Sequence, residues 1–199
     1  MEELLSLYKQ KELEIKSRLN QFKNLSEKLQ FKEFQFCLLT PQSNAQRCWS
    51  AVEEISKLSN INEESVFIIL KSRTRFHKTK TKRILNAKVQ WNNIKEYLNN
   101  QNTKELRNFL AENVNGYGLK EAGHFLRNIG LSNNQITILD RHILRNLKTL
   151  NIIQEDKIKN KENYLEIENA FLEFANKVNI PADELDLLFW SKENGEIFK

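Results

Sequence analysis

The stretch Asn115-Gly116-Tyr117-Gly118-Leu119-Lys120-Glu121-Ala122 decides the fold of this chain. Glycine has no Cβ, so Gly116 and Gly118 allow a tight turn, and a helical pattern begins directly after it. The preceding residues 103–110 predict a capped helix with one apolar stripe. Helix, Gly-x-Gly turn and helix together predict a helix-hairpin-helix.

This turn is also a candidate binding site for an anion. The backbone N–H groups near Gly116 and Gly118, together with the N-terminus of the next helix, form a seat for a phosphate oxygen. On its own, a Gly-x-Gly turn more often joins two helices without binding a ligand. Two residues favour a functional interpretation: Lys120, just after the turn, and Asp140, which precedes an apolar run and is predicted to cap a helix.

Positive charge is concentrated in one segment of the chain. The net charge is +5, yet residues 71–88 contain eight Lys or Arg and no Asp or Glu, so the rest carries about −3. A charge run is usually a solvated helix face. Here it also fits the binding of a nucleic-acid backbone, with an affinity that falls with salt. The candidate contacts are Arg73, Arg75, Lys78, Lys80, Lys82 and Arg83.

Composition narrows the class of protein. A chain of 199 residues with 40% hydrophobic content can bury a core, and its few Gly and Pro favour helices. No apolar run approaches the ~18–20 residues of a membrane span, and no signal peptide is recognised, so we expect a soluble protein of the cytoplasm or nucleoid. Cys37 and Cys48 are expected to be reduced residues in or near the core. Two cysteines cannot supply a four-cysteine iron–sulfur cluster.

Apolar residues spaced by three and four predict helices along most of the chain. One helix is predicted over residues 3–29, another over 79–98 and another near 162–178. Thr40-Pro41 should end a helix, and a last helix should begin near Pro181 and end at Gly195. No convincing strand alternation occurs, so the predicted fold is all-α.

At Lys120 and Asp140 the sequence resembles the helix-hairpin-helix DNA glycosylases, and within them the archaeal-type (type 2) 8-oxoguanine DNA glycosylase/AP lyases. The resemblance covers roughly residue 30 to the end. It implies one domain, residues 1–199, made of two helical lobes, with the hairpin at about 104–130 and an active-site cleft between the lobes. The turn lacks the Pro-Gly common in the superfamily, and the chain is too short for an additional N-terminal β domain. The other matching blocks are Leu38–Ala45, His124–Asn128, Leu187–Trp190 and Ile197–Lys199.

The resemblance implies a bifunctional enzyme that excises 8-oxoguanine and cleaves the abasic strand by β-elimination. Lys120 would be the nucleophile that forms a Schiff base, and Asp140 would be its ionised electrostatic partner. No cofactor is needed for this chemistry, although hairpins of this kind often bind a monovalent cation through backbone carbonyls.

The resemblance also implies residues that contact the extruded base and fill the space it leaves. Phe76 and Trp190 would sandwich the purine, and Asp186 would accept a hydrogen bond from it. Lys199 would contribute its terminal carboxylate to reading the oxidised base. Gln42 would fill the gap in the duplex and contact the orphan base.

Two alternatives stay open from sequence alone. The first is a helix-hairpin-helix DNA-binding module without catalysis, in which Lys120 only contacts phosphate. The second is a glycosylase for another oxidised base. In the favoured interpretation the partner is double-stranded DNA containing 8-oxoguanine, the protein is expected to be a monomer, and neither a membrane nor a metal centre is involved.

Overall fold

The computed structural model describes residues 2–99 and 102–199, apart from the side chains of residues 193 and 194. Within these ranges the chain forms ten α-helices and one 3₁₀ turn, Lys95–Asn99, and no strand, which confirms the all-α prediction. The helices are α1 (Glu2–Phe22), α2 (Glu27–Leu39), α3 (Ala45–Ile55), α4 (Glu63–Lys71), α5 (His77–Ile94), α6 (Thr103–Asn113), α7 (Leu119–Asn128), α8 (Arg141–Thr149), α9 (Lys161–Val178) and α10 (Ala182–Asn194).

The helices are divided between two compact units. The central unit is Leu25–Phe125, and it contains α2 to α6 and the first part of α7. The terminal unit combines the chain up to Asn24 with Leu126–Lys199, so it contains α1 and α8 to α10. The boundary between the units therefore falls inside α7, the second helix of the predicted hairpin.

An aromatic cluster forms the core of the central unit around Phe34 of α2. The ring of Phe34 lies 5.7 Å from that of Trp91, 5.3 Å from that of Tyr117 and 5.8 Å from that of Phe125, between centroids. The Tyr117 hydroxyl also donates a hydrogen bond to the Phe34 carbonyl, at 2.9 Å. Tyr117 is the middle residue of the Gly-x-Gly turn, so the core itself fixes the position of the hairpin.

In the terminal unit α10 is the central helix and packs against α1, α8 and α9. Its residues Leu185, Leu187, Leu188 and Phe189 are fully buried. The Phe189 ring meets that of Phe171 on α9 edge to face, at 6.2 Å between centroids. Because α10 is buried on several sides, it has no single apolar stripe.

The helix predicted over residues 3–29 is wrong, because the structure divides this stretch between two helices. The structure ends α1 at Phe22, Ser26 has an extended backbone with φ −62° and ψ 156°, and α2 begins at Glu27. The apolar spacing continues through this break, so periodicity alone joins two helices into one. The backbone of Gly130 packs closely against the chain at this break. A Cβ on Gly130 would lie only 2.7 Å from the Cα of Lys23.

Most other boundaries follow the predicted signals. Helix α2 ends just before Thr40, and Gly195 ends α10 in the left-handed conformation with φ +82°. The predicted helix over 79–98 begins slightly earlier and ends in the 3₁₀ turn. Cys37 and Cys48 are both buried and neither forms a disulfide, as expected.

Candidate active site

The hairpin turn joins α6 to α7 and depends on one of its two glycines. Gly116 has φ +110°, and a Cβ there would lie 2.7 Å from Cδ and Nε of Arg83. Gly118 has no such backbone angle, and its nearest neighbour would be a carboxylate oxygen of Glu121 at 3.4 Å. The turn is further held by the Asn115 N–H, which donates to Oε1 of Gln90 at 2.6 Å.

Lys120 lies in the first turn of α7 and forms an ion pair with the residue that follows it. Its Nζ is 2.8 Å from Oε1 of Glu121, and 30% of the lysine side chain is exposed. The other oxygen of the same carboxylate accepts a hydrogen bond from the Gly118 N–H at 3.2 Å. Glu121 therefore binds both the predicted nucleophile and one of the two amides predicted to bind phosphate.

Sequence reasoning missed Glu121, although a signal for it was present. A Glu at the third helical position commonly bonds back to the N–H at the start of its helix. Glu121 is the third residue of α7, which begins directly after the glycine turn, and Lys120 is the residue before it.

Asp140 caps α8 as predicted. Its backbone is extended, with φ −85° and ψ 177°, and its Oδ1 accepts hydrogen bonds from the N–H groups of His142 at 2.7 Å and Ile143 at 2.9 Å. These bonds and the helix dipole stabilise a negative charge on the carboxylate. Asp140 belongs to the terminal unit and is half-buried, whereas Lys120 belongs to the central unit.

The predicted DNA-facing residues Gln42 and Phe76 share an unusual backbone. Gln42 has φ +53° and Phe76 has φ +57°, both in the left-handed region that non-glycine residues rarely adopt. Both side chains are exposed, and Phe76 keeps 54% of its surface accessible. The Arg75 guanidinium lies over the Phe76 ring at 5.6 Å. Residues with a strained backbone cluster at active sites and ligand-binding sites.

The basic segment does not present all of its charges outward. Arg75, Lys78 and Lys82 are exposed, whereas Arg73 pairs with the carboxylate of Glu54. Lys80 was predicted to contact phosphate and is instead 1% exposed, so that prediction is wrong. Burial lowers the pKa of Lys80 to about 8, with a further lowering from nearby positive charges that include Lys120.

The other predicted base-contacting residues lie in the terminal unit. Asp186 is buried on α10, with an Oδ2 atom 3.4 Å from Nη2 of Arg127. Burial raises the pKa of Asp186 to about 7; Arg127 opposes this shift, while the nearby carboxylate of Asp140 adds to it. The Trp190 ring is half-buried and lies 6.1 Å from that of Phe198, between centroids. Lys199 is 8% exposed.

The described residues contain neither a metal-binding cluster nor a membrane-spanning helix. Among residues 2–99 and 102–199, no group of three His, Cys, Asp or Glu side chains is placed to hold a metal ion. In the same part of the chain, no helix is both long enough and apolar enough to span a membrane.

An all-α fold with a glycine turn between two helices, a lysine just after the turn and a capping aspartate further along matches the pattern of the helix-hairpin-helix DNA glycosylases. Comparison with known proteins narrows the class. The sequence pattern of the family described as 8-oxoguanine DNA glycosylase matches residues 15–180. This chain belongs to that family.

Curated relatives match over nearly the whole chain. An 8-oxoguanine DNA glycosylase/AP lyase of Fusobacterium nucleatum is 39% identical over 99% of this chain and 96% of the relative. A protein of the same name from Methanocaldococcus jannaschii is 37% identical over 89% of this chain and 86% of the relative's own length.

Two solved structures share the fold. The Methanocaldococcus jannaschii 8-oxoguanine glycosylase/lyase, in complex with a 15mer DNA containing 8-oxoguanine, is similar with a TM-score of 0.86, at 33% identity over the full length of both chains. The 8-oxoguanine DNA glycosylase of Thermotoga maritima has a TM-score of 0.88 at 29% identity, covering 100% of this chain and 97% of its own.

Proposed function

We propose that this protein is a DNA repair enzyme that excises 8-oxoguanine from duplex DNA and then cleaves the abasic strand. The observation that carries the proposal is the position of Lys120, in the first turn after the hairpin, in a chain of the 8-oxoguanine DNA glycosylase family. A backbone-binding module would require the glycine turn alone.

Lys120 is the proposed nucleophile. Its neutral amine attacks C1′ of the extruded nucleotide, the bond from C1′ to the base nitrogen breaks, and the base leaves with that electron pair and then takes up a proton. The amine loses a proton, and the C1′–O4′ bond then opens with its electron pair going to O4′, which takes up a proton, to give a protonated Schiff base and a 4′ hydroxyl. Removal of a proton from C2′ then expels the 3′ phosphate and cuts the strand.

Asp140 is proposed to act as an anion in this reaction. Two backbone N–H groups and the helix dipole hold its charge, so it can stabilise the positive character of the sugar as the base departs. Its second oxygen can also orient the lysine amine. Both residues are proposed to act on the same nucleotide.

Recognition of the base is assigned to side chains from both units. Phe76 and Trp190 are proposed to stack on the purine, and Gln42 is proposed to enter the duplex and contact the orphan base. Asp186, with a pKa raised to about 7, can accept a hydrogen bond as a carboxylate or donate one as an acid. Lys199 is proposed to contact the base as well.

The remaining contacts hold the DNA backbone. Arg73, Arg75 and Lys82 are proposed to bind phosphates, together with the hairpin amides of Gly116 and Gly118. The Gly118 amide would have to exchange its bond to Glu121 for a phosphate. A monovalent cation held by carbonyls of the turn would bridge to the same backbone. We expect one monomer to act on each lesion.

Borohydride trapping tests this proposal directly. The protein is incubated with a duplex carrying one 8-oxoguanine, a reductant is added, and a covalent protein–DNA band is sought. We expect a band with the unsubstituted protein and with Lys104→Gln, an exposed lysine on α6, and none with Lys120→Gln. Absence of a band with the unsubstituted protein, despite binding to the duplex, would favour the non-catalytic module. A band only with another oxidised base would change the substrate and keep the chemistry.

A further inference from the structure

Of the eight Lys and Arg residues in the basic segment, residues 71–88, only Lys80 is almost completely buried. It lies on α5, and its N–H donates to the carbonyl of Phe76, the residue that precedes the helix. The side chain runs inward to the end of α2. Its position is therefore fixed at one end by the Phe76 loop and at the other by the segment that carries Gln42.

All three N–H donors of the ammonium group have an acceptor. Nζ lies 2.7 Å from the Leu39 carbonyl, 2.8 Å from the Pro41 carbonyl and 2.8 Å from the Ser43 hydroxyl. Leu39 is the last residue of α2, so its carbonyl has no partner within the helix. A cation at a helix C-terminus is favoured by the helix dipole as well.

Ser43 extends this hold to the second loop. Its hydroxyl oxygen also accepts a hydrogen bond from the Arg75 N–H, at 2.9 Å. Lys80 therefore binds Pro41 and Ser43, the residues on either side of Gln42. Through Ser43 it also holds Arg75, the residue directly before Phe76.

Both exposed residues need such support. A non-glycine residue in the left-handed region is strained, and it persists only where the surroundings over-determine it. Gln42 and Phe76 are both in that region. The hydrogen bonds of the buried ammonium group act on the residues next to Gln42 and Phe76 in the chain rather than on the side chains of these two residues.

We propose that Lys80 is a positioning residue that presents Gln42 and Phe76 to the DNA through its bonds to Leu39, Pro41 and Ser43. The effect of Lys80 on repair rests on the proposed function, in which Gln42 holds the duplex open and Phe76 stacks on the base. Lys80 then governs the steps that extrude and retain the lesion, and it has no part in the Schiff-base chemistry of Lys120.

The test compares Lys80→Met with two matched variants. Ser43→Ala removes the link to Arg75, and Ile84→Ala, at a buried position on the same helix, lowers stability through packing alone. For each variant the single-turnover rate of 8-oxoguanine excision is measured, along with borohydride trapping on a duplex that already contains an abasic site. Hydrogen exchange is followed across residues 39–43 and 74–77, with α6 as the reference.

For Lys80→Met we expect excision to fall about tenfold or more, because small misplacements near a reacting group are costly. Trapping on the abasic duplex should stay within about twofold, since it bypasses extrusion of the base. Exchange should become faster in the two loops and stay unchanged in α6. Ser43→Ala should show the same pattern with smaller effects.

Three results would overturn the inference. They are unchanged exchange in the two loops, unchanged excision despite faster exchange, and a parallel fall of excision and trapping that matches Ile84→Ala. Failure of the proposed function is distinct, because the unsubstituted protein would then neither excise the base nor become trapped on either duplex. The exchange experiment would still decide whether Lys80 holds the loops.

Discussion

The Nζ atom of Lys120 lies 2.8 Å from Oε1 of Glu121, the next residue in the chain. The same carboxylate accepts the Gly118 N–H through its other oxygen. One side chain thus links the end of the hairpin turn to the proposed nucleophile. A lysine amine held in this ion pair is not free to attack C1′.

Substitution Glu121→Gln should therefore accelerate formation of the Schiff base at neutral pH. The amide oxygen can still accept the Gly118 N–H, while the negative charge beside Lys120 is lost. Because a partly exposed ion pair is worth about 1 kcal/mol or less, we expect an increase of up to about fivefold in the trapping rate on an abasic duplex.

Glu121→Ala serves as the structural control for that variant. It removes the bond to Gly118 as well, so it should lower the free energy of unfolding by about 1 kcal/mol, measured by urea denaturation. A trapping rate that falls in Glu121→Gln while its stability is unchanged would instead show that the carboxylate promotes catalysis.

The two glycines of the hairpin should differ in their tolerance of alanine. Gly116→Ala places a Cβ on a backbone with φ +110° and into the Arg83 side chain, so we expect a loss of about 1–3 kcal/mol in stability. Gly118→Ala meets only a carboxylate oxygen at 3.4 Å and should cost less. Urea denaturation of both variants measures the difference, and equal losses would contradict the assignment.

The hairpin also shows what could be predicted from sequence and what could not. Gly116, Asp140 and Gly195 act at chain reversals and helix ends, where one residue type has a local mechanical role, and their positions were predicted correctly. The burial of Lys80 was not predictable, because a run of charges looks uniform until the fold selects which side chain points inward. The break after Phe22 was missed for a similar reason, since it depends on a tertiary neighbour.

For Asp140 the conservative substitution separates charge from capping. Asparagine caps a helix about as well as aspartate, so Asp140→Asn should keep the stability of α8, whereas Asp140→Ala should lose about 1 kcal/mol. If the charge stabilises the cationic sugar, excision by Asp140→Asn should fall by about a hundredfold or more. Single-turnover excision and urea denaturation of both variants test this. An active Asp140→Asn would show that the residue is only a cap.

The exposed charges of the basic segment should make the affinity for DNA depend on salt concentration. Lys82 is exposed, whereas Arg73 is already paired with Glu54. Lys82→Gln should reduce the slope of log affinity against log salt concentration by about 1, and Arg73→Gln should reduce it less. Fluorescence anisotropy with an undamaged duplex at several salt concentrations measures both slopes. Equal changes would mean that Glu54 does not weaken the binding of phosphate by Arg73.

Asp186 makes the stability of the protein depend on pH. Its pKa is raised by burial to about 7, and Asp140 and Asp183 add to the shift while Arg127 opposes it. Between the unfolded value near 3.9 and this folded value, the folded state binds more protons, so the stabilising effect of the protonated group is lost as pH rises. The free energy of unfolding of the unsubstituted protein, relative to Asp186→Asn, should therefore decrease from about pH 4 to about pH 7, by up to about 4 kcal/mol. Urea denaturation of the two proteins across this range measures the decrease, and a difference that does not change with pH would contradict the buried acid.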